Sequence, residues 1–512
     1  MDARELQAIP HLAELDGICA AFDEASICRQ GSTLEERSAN SPKVLDSIEE
    51  AVRRVGLKSG MTISFHHHFR NGDAVLNQVM EVIARMGIRD LTITASSLND
   101  VHSPLIEHIK NGVVRRIETS GLRGQLADAV SHGLMDYPVV FRSHGNRAWA
   151  IATGRIKIDV AFLGAPSCDP FGNANGYSRE NDNGITCGSL GYAKTDADFA
   201  DKVVVLTNNI VPYPNAPFAI PEQKVDYVVR LDSIGNPDGI MSGATRYTKN
   251  PKELVIARSA ADAIEAAGML RDGFSLQMGS GGASLAVTRF LEEKMERLGV
   301  KASFALGGIT GSMVALHEKG LVKKILDVQS FDLTAAESLK NNRFHQQISA
   351  QYYASPEHEG TAVNQLDVVV LSALEVDCGF NVNVLTGSDG IIRGAIGGHQ
   401  DTAAGAALTV VVCPLVRGRI PCVVDKVITR VTPGCTVDLV VTEYGVAVNP
   451  DKPELAAHLE KAGIQVRDIH ELRDIAESFT GHPDPIVFSD KVVGVVTYRD
   501  GSVIDVIRAV NE

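Results

Sequence analysis

Residues 62–94 read TISFHHHFRNGDAVLNQVMEVIARMGIRDLTIT, and residues 275–306 read SLQMGSGGASLAVTRFLEEKMERLGVKASFAL. Each stretch is a short apolar run, a polar turn, a helix-period segment, a glycine (Gly87, Gly299) and a second apolar run. A further glycine (Gly60, Gly273) opens each first run, and a helical pattern precedes it. The offset between the halves is 213 residues at the first glycine and 212 at the second, so one gap aligns them. Apolar runs of strand length alternating with helical patterns predict an α/β fold with mostly parallel sheets. Further strands are expected at 139–141, 203–206, 368–371 and 408–412. The internal similarity predicts two similar, duplicated domains, with the active site in the cleft between them. We divide the chain into an N-terminal arm (1–45), a first domain (46–255) and a second (256–512), the last opened by the helix that TKNPKEL introduces.

At 512 residues, 44% hydrophobic and 22% charged, the chain has the composition of an ordinary globular protein with room for more than one core. A formal charge of −14 argues against a sequence-independent grip on nucleic acid, which needs clustered lysine and arginine. No apolar run approaches the roughly 20 residues that span a bilayer, so no membrane partner is expected. The N-terminal MDARELQAIPHLAELDG is acidic where a secretory signal is basic, which gives a cytoplasmic expectation. Eight scattered cysteines without a C-x-x-C pair predict reduced thiols rather than a zinc or disulfide framework.

The alignment sets His66, His67 and His68 against Gly279, Ser280 and Gly281. A glycine-rich strand-to-helix turn can hold an anion through backbone N–H groups and the helix N-terminus, or can serve close packing of helix on strand. Adjacent residues in an extended turn point to opposite sides, so three adjacent histidines make a poor metal site, and no metal is expected. Two readings stay open for them: carboxylate binding together with Arg70, or packing. Further glycine loops at predicted strand ends are GGITGSM (307–313) and NVNVLTGSDGIIRGAIGGHQDTAAGA (381–406), with SGATRY (242–247) and VTEYGVAV (441–448) beside them. Loops at the ends of parallel strands carry ligands in α/β folds. Several such loops together imply a large anionic ligand. Cys187, without an evident base, and the lone Trp149 are expected to pack.

LQMGSGGASLAV, LSALEVDCGFNVNV, GAIGGHQDTAAGA and VVTEYGVAV resemble the second half of the acetyl-CoA hydrolase and CoA-transferase superfamily, and DPFGNANG resembles a first-half loop. With FHHHFRNGD and TGSDGIIRGAIGGHQDTAAGA, the chain is similar to the citrate lyase α-subunit family from about residue 45 to 450. The resemblance implies a CoA-transferase fold. It also implies a citrate CoA-transferase in which citrate replaces acetate on a thioester carried by an acyl carrier protein with a dephospho-CoA-derived arm, or on CoA. A β subunit and the acyl carrier (γ) subunit would be partners in an oligomeric complex, and no covalently bound cofactor is implied.

Covalent members of the superfamily carry a glutamate nucleophile where this chain has Gly307, and 305–316 contains no glutamate. A glycine cannot supply that nucleophile. Direct exchange between two bound substrates through a mixed anhydride is therefore expected. The groups expected to act at the reacting atoms are Gly307, Gly308, Gly397, Gly398 and His399. Citrate is assigned to His66, His67, His68, Arg70, Asn381, Asn383 and Arg393, and the thioester carrier to Gly279, Ser280, Gly281, Gly282, Arg246 and Glu443. For Asn381, Asn383 and Arg393, and for the carboxylates Glu375, Asp377 and Glu443, a structural role is an equal alternative. Competing functions are a covalent acetate or succinate CoA-transferase, an acyl-CoA hydrolase, or a non-catalytic metabolite sensor of the same fold.

Overall fold

The computed structural model describes Pro10, Gly31, residues 33–241 and residues 248–511. About two thirds of the expected N-terminal arm, together with Arg246 and the SGATRY segment, lies outside the described residues. Thr62–Phe65 and Ser275–Met278 are strands, Val75–Arg85 and Gly282–Leu298 the helices after them, and Leu91–Ala95 and Ala302–Ile309 the next strands. The marker glycines Gly60, Gly87, Gly273 and Gly299 all have positive φ, between 68° and 88°, where a Cβ would be strained. Helix Val75–Arg85 buries Val75, Leu76, Val79, Met80, Val82 and Ile83, the spacing of one helical face.

Each of these units is the centre of a large sheet. In the first sheet Thr62–Phe65 is flanked on one side by Leu91–Ala95, Val114–Thr119 and Val139–Phe141, and on the other by Val160–Gly164, Lys202–Thr207 and Tyr227–Arg230. In the second, Ser275–Met278 is flanked by Ala302–Ile309, Val322–Ser330 and His345–Gln347, and opposite by Val368–Ser372, Leu408–Val412 and Leu439–Thr442. These seven strands follow the same order in both sheets, and all their pairings are parallel. Valine-rich strands such as Val368–Ser372 and Leu408–Val412 are almost wholly buried, as parallel sheets covered on both faces require.

The two ends of the chain depart from the expected division. Val44–Leu45, assigned to the arm, pairs with Tyr227–Arg230 as the edge of the first sheet. The C-terminal hairpin of Phe488–Thr497 and Val503–Val510 also joins the first sheet, where Gly494–Val496 pairs with Val139–Phe141. Residues 488–510 thus go with the first sheet, not with 256–487. Pairing satisfies the N–H and C=O groups that the strand Val139–Phe141 would otherwise leave open. Among the described residues no helix is long and apolar enough to cross a membrane.

Candidate active site

The strand ends of both sheets open on one cavity of about 410 Å³. From the first half it is lined by His67, Arg70, Ser97, Asn99, Arg123 and His144 among others. The second half supplies Gly279–Gly281, Gln277, Gly308, Gln329, Phe331 and the turn Gly394–His399. Among the described residues no aspartate or glutamate lines the cavity, whereas four arginines do: Arg70, Arg123, Arg393 and Arg417. A cluster of guanidinium groups in a concave site whose lining carries no carboxylate is chemistry for an anion, above all a polycarboxylate or phosphate.

The three adjacent histidines diverge. His66 Nε2 bonds Gly164 O at 2.9 Å and His68 Nε2 bonds Ile234 O at 3.0 Å, both away from the cavity. His68 also lies 3.5 Å from the buried Asp73 carboxylate. Only His67 lines the cavity, and both its nitrogens are engaged: Nδ1 with Ser96 Oγ, Nε2 with Gln329 Oε1 at 2.9 Å. Gln329 offers only an acceptor there, so the proton is assigned to Nε2 and Ser96 donates to Nδ1. Burial, then the neighbouring His144 and Arg70, holds His67 well below the usual histidine range, and burial brings His66 to about 3. The ring is thus a neutral spacer, stacked 5.5 Å from Tyr192. His144 packs on the same tyrosine at 4.4 Å; burial, then Arg147 and Arg123, lowers it to about 3. Its Nδ1 is buried without a hydrogen-bond partner among the described residues.

Positive charge therefore comes from the arginines. Arg70 has φ 53°, Nη1 donating to Ile240 O at 3.1 Å and its guanidinium 4.7 Å from the Phe331 ring centroid. Burial, then the charge of Arg123, lowers it to about 10, so it stays protonated at neutral pH. Neither Arg70 nor Arg123 has a carboxylate within ion-pair distance among the described residues. Arg123 reaches Ser97 Oγ at 3.3 Å. Arg393 is paired with Asp389, and Arg417 Nη2 donates to Ala373 O at 3.1 Å.

Backbone dominates the second wall. The N–H groups of Ser280, Gly281, Gly397 and Gly398 have no acceptor among the described residues, whereas Gly279 N–H is spent on Val370 O at 2.7 Å. Gly397 has φ 57°, and a Cβ on Gly398 would come 2.4 Å from Tyr353 Oη. Glycine is thus the residue that fits this turn. Gly307, φ 107°, is not among the lining residues; a Cβ there would fall 2.5 Å from the carboxamide carbon of Gln277. That carboxamide is fixed by Tyr353, Gln277 Nε2 donating to its Oη at 2.9 Å. His399 lines the cavity, yet Nδ1 is 2.7 Å from Thr432 Oγ1 and Nε2 3.2 Å from Ser372 O. Burial lowers it to about 4. It orients the turn as a neutral ring and has no nitrogen left for a ligand.

Of the residues expected from sequence, the cavity gathers His67, Arg70, Gly279, Ser280, Gly281, Gly308, Arg393, Gly397, Gly398 and His399. It leaves out His66, His68, Asn381, Asn383, Gly282, Gly307 and Glu443. Asn381 is bound to the Asp377 carboxylate, and Asn383 to Glu375 and to Thr386, so both hold a loop behind the wall. Glu443 accepts from Leu415 N–H at 2.8 Å and pairs with Lys252. Cys187 is buried, its thiol pushed up by burial, and is not among the lining residues. Sequence reasoning missed Asn99, Arg123, His144, Gln277, Gln329 and Tyr353; Gln277 stands just ahead of the Gly279–Gly282 turn, and the others lie outside the glycine motifs. His144 follows the predicted strand 139–141, and that position was the available signal; Arg123 follows the strand Val114–Thr119, which the sequence pattern had not marked.

The family model described as "Citrate lyase, alpha subunit" matches residues 41–510. A citrate lyase α chain of Klebsiella pneumoniae is 59% identical over 475 residues, covering 93% of each chain. A 4-hydroxybutyrate coenzyme A transferase of Clostridium kluyveri is 25% identical over 364 residues, 67% of this chain and 77% of that one. A crystal structure from Streptococcus mutans, described as a citrate lyase α subunit in complex with citrate, superimposes with a TM-score of 0.89 at 57% identity over 92% of both chains.

Proposed function

The chain belongs to the citrate lyase α-subunit family, an enzyme component that acts as a citrate CoA-transferase, and from that premise we propose that it exchanges acetate for citrate on a thioester carrier by direct attack. In the first step a citrate carboxylate oxygen bonds to the acetyl carbonyl carbon and the carrier thiolate leaves, giving an acetic–citric anhydride. The thiolate then attacks the citryl carbonyl of that anhydride and acetate leaves. One thioester is lost and one gained, so neither ATP nor an oxidant is needed. The carrier is CoA or the dephospho-CoA-type arm of an acyl carrier protein, and β and γ subunits complete a cytoplasmic complex.

The observation that carries this reading is the cavity itself. Its first wall presents Arg70 and Arg123 without carboxylate partners, and its second presents the free N–H groups of Ser280, Gly281, Gly397 and Gly398. The guanidinium groups suit citrate; the N–H groups suit the oxyanion that develops on the acyl carbonyl, where each lost donor typically costs about 100- to 1000-fold in rate. Arg417, exposed and among the lining residues, suits the carrier's phosphates. The space that a side chain at Gly307 would enter is occupied by Gln277, which supports exchange without a glutamyl intermediate.

The test is to incubate the chain with acetyl-CoA and citrate and to follow citryl-CoA and acetate by mass spectrometry. Formation of both is expected. Saturable citrate binding without exchange would instead make the protein a sensor. Borohydride treatment after preincubation with acetyl-CoA alone should leave the chain mass unchanged; a reduced glutamyl adduct would refute direct exchange.

A further inference from the structure

Asp401 lies behind the cavity wall, fully buried, as the third residue of helix His399–Gly405. Its carboxylate reaches from the second half of the chain into the first. Oδ1 accepts from Ser143 Oγ and Oδ2 from the Gly145 N–H, both at 2.9 Å. Ser143 is the N-cap of helix His144–Ala152, its Oγ also accepting from Asn146 N–H at 3.0 Å. Between the two anchored residues, the His144 N–H donates to Gly397 O at 2.9 Å. Three hydrogen bonds thus join residues 143–145 to residues 397–401. The approach is close enough that a Cβ on Gly145 would fall 2.1 Å from Ala354 O and 2.5 Å from Asp401 Oδ1.

The groups on either side of this seam belong to the cavity. On one side stands the His144 ring, with its unpartnered Nδ1; on the other stand the free N–H groups of Gly397 and Gly398. We propose that Asp401 is a positioning residue for the transfer, fixing His144 of the first half in register with the Gly397–Gly398 donors of the second. The inference rests on the transferase reading of the cavity. Two substrates held by different halves react only if the halves hold them within near-attack distance, and a misplacement of about 1 Å costs on the order of 100-fold.

Stability alone does not account for a carboxylate here. Burial raises Asp401 to about 6, even though Arg499, the Gly145 N–H and Ser143 Oγ each favour its charged form. The groups facing it are Arg499 Nε at 3.7 Å and the half-buried phenol of Tyr498, both from the turn after Phe488–Thr497, and the buried phenols of Tyr192 and Tyr353. An ionised group kept against its desolvation cost, at a seam between two functional walls, fits a role in activity better than one in folding.

Asp401→Asn and Ser143→Ala, made in the full chain, test the proposal in the exchange of acetyl-CoA with citrate. Asp401→Asn is expected to lower kcat about 100-fold while both KM values and the citrate Kd stay within about threefold and the melting temperature does not fall. Ser143→Ala, which removes one of the three bonds, should lower kcat about 5- to 10-fold by the same reasoning. The wild-type kcat should decline on the acid side of about pH 6, a limb absent from Asp401→Asn. A kcat for Asp401→Asn within about threefold of wild type would overturn the proposal. So would parallel losses of kcat, citrate affinity and melting temperature in both variants, the signature of a merely structural carboxylate. Absence of exchange by the wild-type chain would overturn the transferase reading, and this inference with it.

Discussion

Arg70→Gln separates substrate binding from folding at the most buried cationic group of the cavity. Arg70 is 7% exposed, and its lowering to about 10 is the signature of a charge taken out of water. A lowering of that size corresponds to roughly 3 kcal/mol spent on keeping it charged. Against that stand the bond to Ile240 O, on the order of 1.5–3 kcal/mol for a charged donor, and the Phe331 contact, about 0.5–2 kcal/mol. The two sides nearly cancel. Glutamine keeps much of the volume, can still donate to Ile240 O and meets the same backbone strain at φ 53°, so the melting temperature should move by only a few degrees. A citrate carboxylate loses a charge-assisted bond of about 1.5–3 kcal/mol, which raises the citrate Kd and KM by roughly 10- to 150-fold. The acetyl-CoA KM should stay within about threefold, because its donors lie on the opposite wall. Calorimetry with citrate, steady-state kinetics in both substrates and a melting curve decide the matter. An equal rise in both KM values, or a melting temperature lower by more than about 10 degrees, would refute the assignment of Arg70 to citrate.

Gly307→Glu should not create a covalent transferase: at φ 107° its Cβ meets the Gln277 carboxamide, so transfer should fall more than about 100-fold with no borohydride-reducible adduct, and an adduct would refute this packing argument. His399→Gln keeps a single bond to Thr432 or Ser372 and should lower kcat about 3- to 10-fold, with an unchanged pH–rate profile from 6 to 9 because the native ring titrates near 4. The native His399 binds its proton more weakly than the unfolded chain does. Wild type should therefore lose stability relative to His399→Gln as pH falls from about 6.5 to about 4, measured by paired denaturation curves. Asp401 has the opposite sign. Its folded value of about 6 exceeds the unfolded 3.8, so wild type should lose stability relative to Asp401→Asn as pH rises through that window, by roughly 1–3 kcal/mol at pH 7.

The fold was legible because its signals are local and repeat. Strand-length apolar runs, helix periods and a pair of glycines at positive φ fall in the same order twice, and both sheets are built outward from those units. The C-terminal hairpin was not legible: the pairing of Gly494–Val496 with Val139–Phe141 joins segments some 350 residues apart, and neither sequence names the other. In the site, glycine turns were legible because φ and close approach restrict them to glycine. The direction of each histidine in FHHHFR was not, since Gly164, Ile234 and Gln329, which decide it, are remote in sequence. Asn381 and Asn383 misled for a related reason, as an amide that binds a buried carboxylate and one that binds a ligand are the same residue in sequence.

Two copies of one strand order have come to present different chemistry to the same cavity. After the central strand of the first sheet the turn carries imidazoles and a guanidinium; at the same place in the second it carries Gly279–Gly281 and bare N–H groups. Charged side chains suit a ground-state carboxylate, whose charge is present before and after transfer. Fixed backbone dipoles suit an oxyanion that exists only during it, because they need no reorganisation at the moment of reaction. The division has a consequence for substitution. Changes in the first wall, as at Arg70, should act mainly through citrate affinity, while changes in the second, as at Gly397 or Gly398, should act mainly through kcat. The residues that join the walls, Ser143, Gly145 and Asp401, touch neither substrate and belong with the second class, since what they hold is the distance between the two.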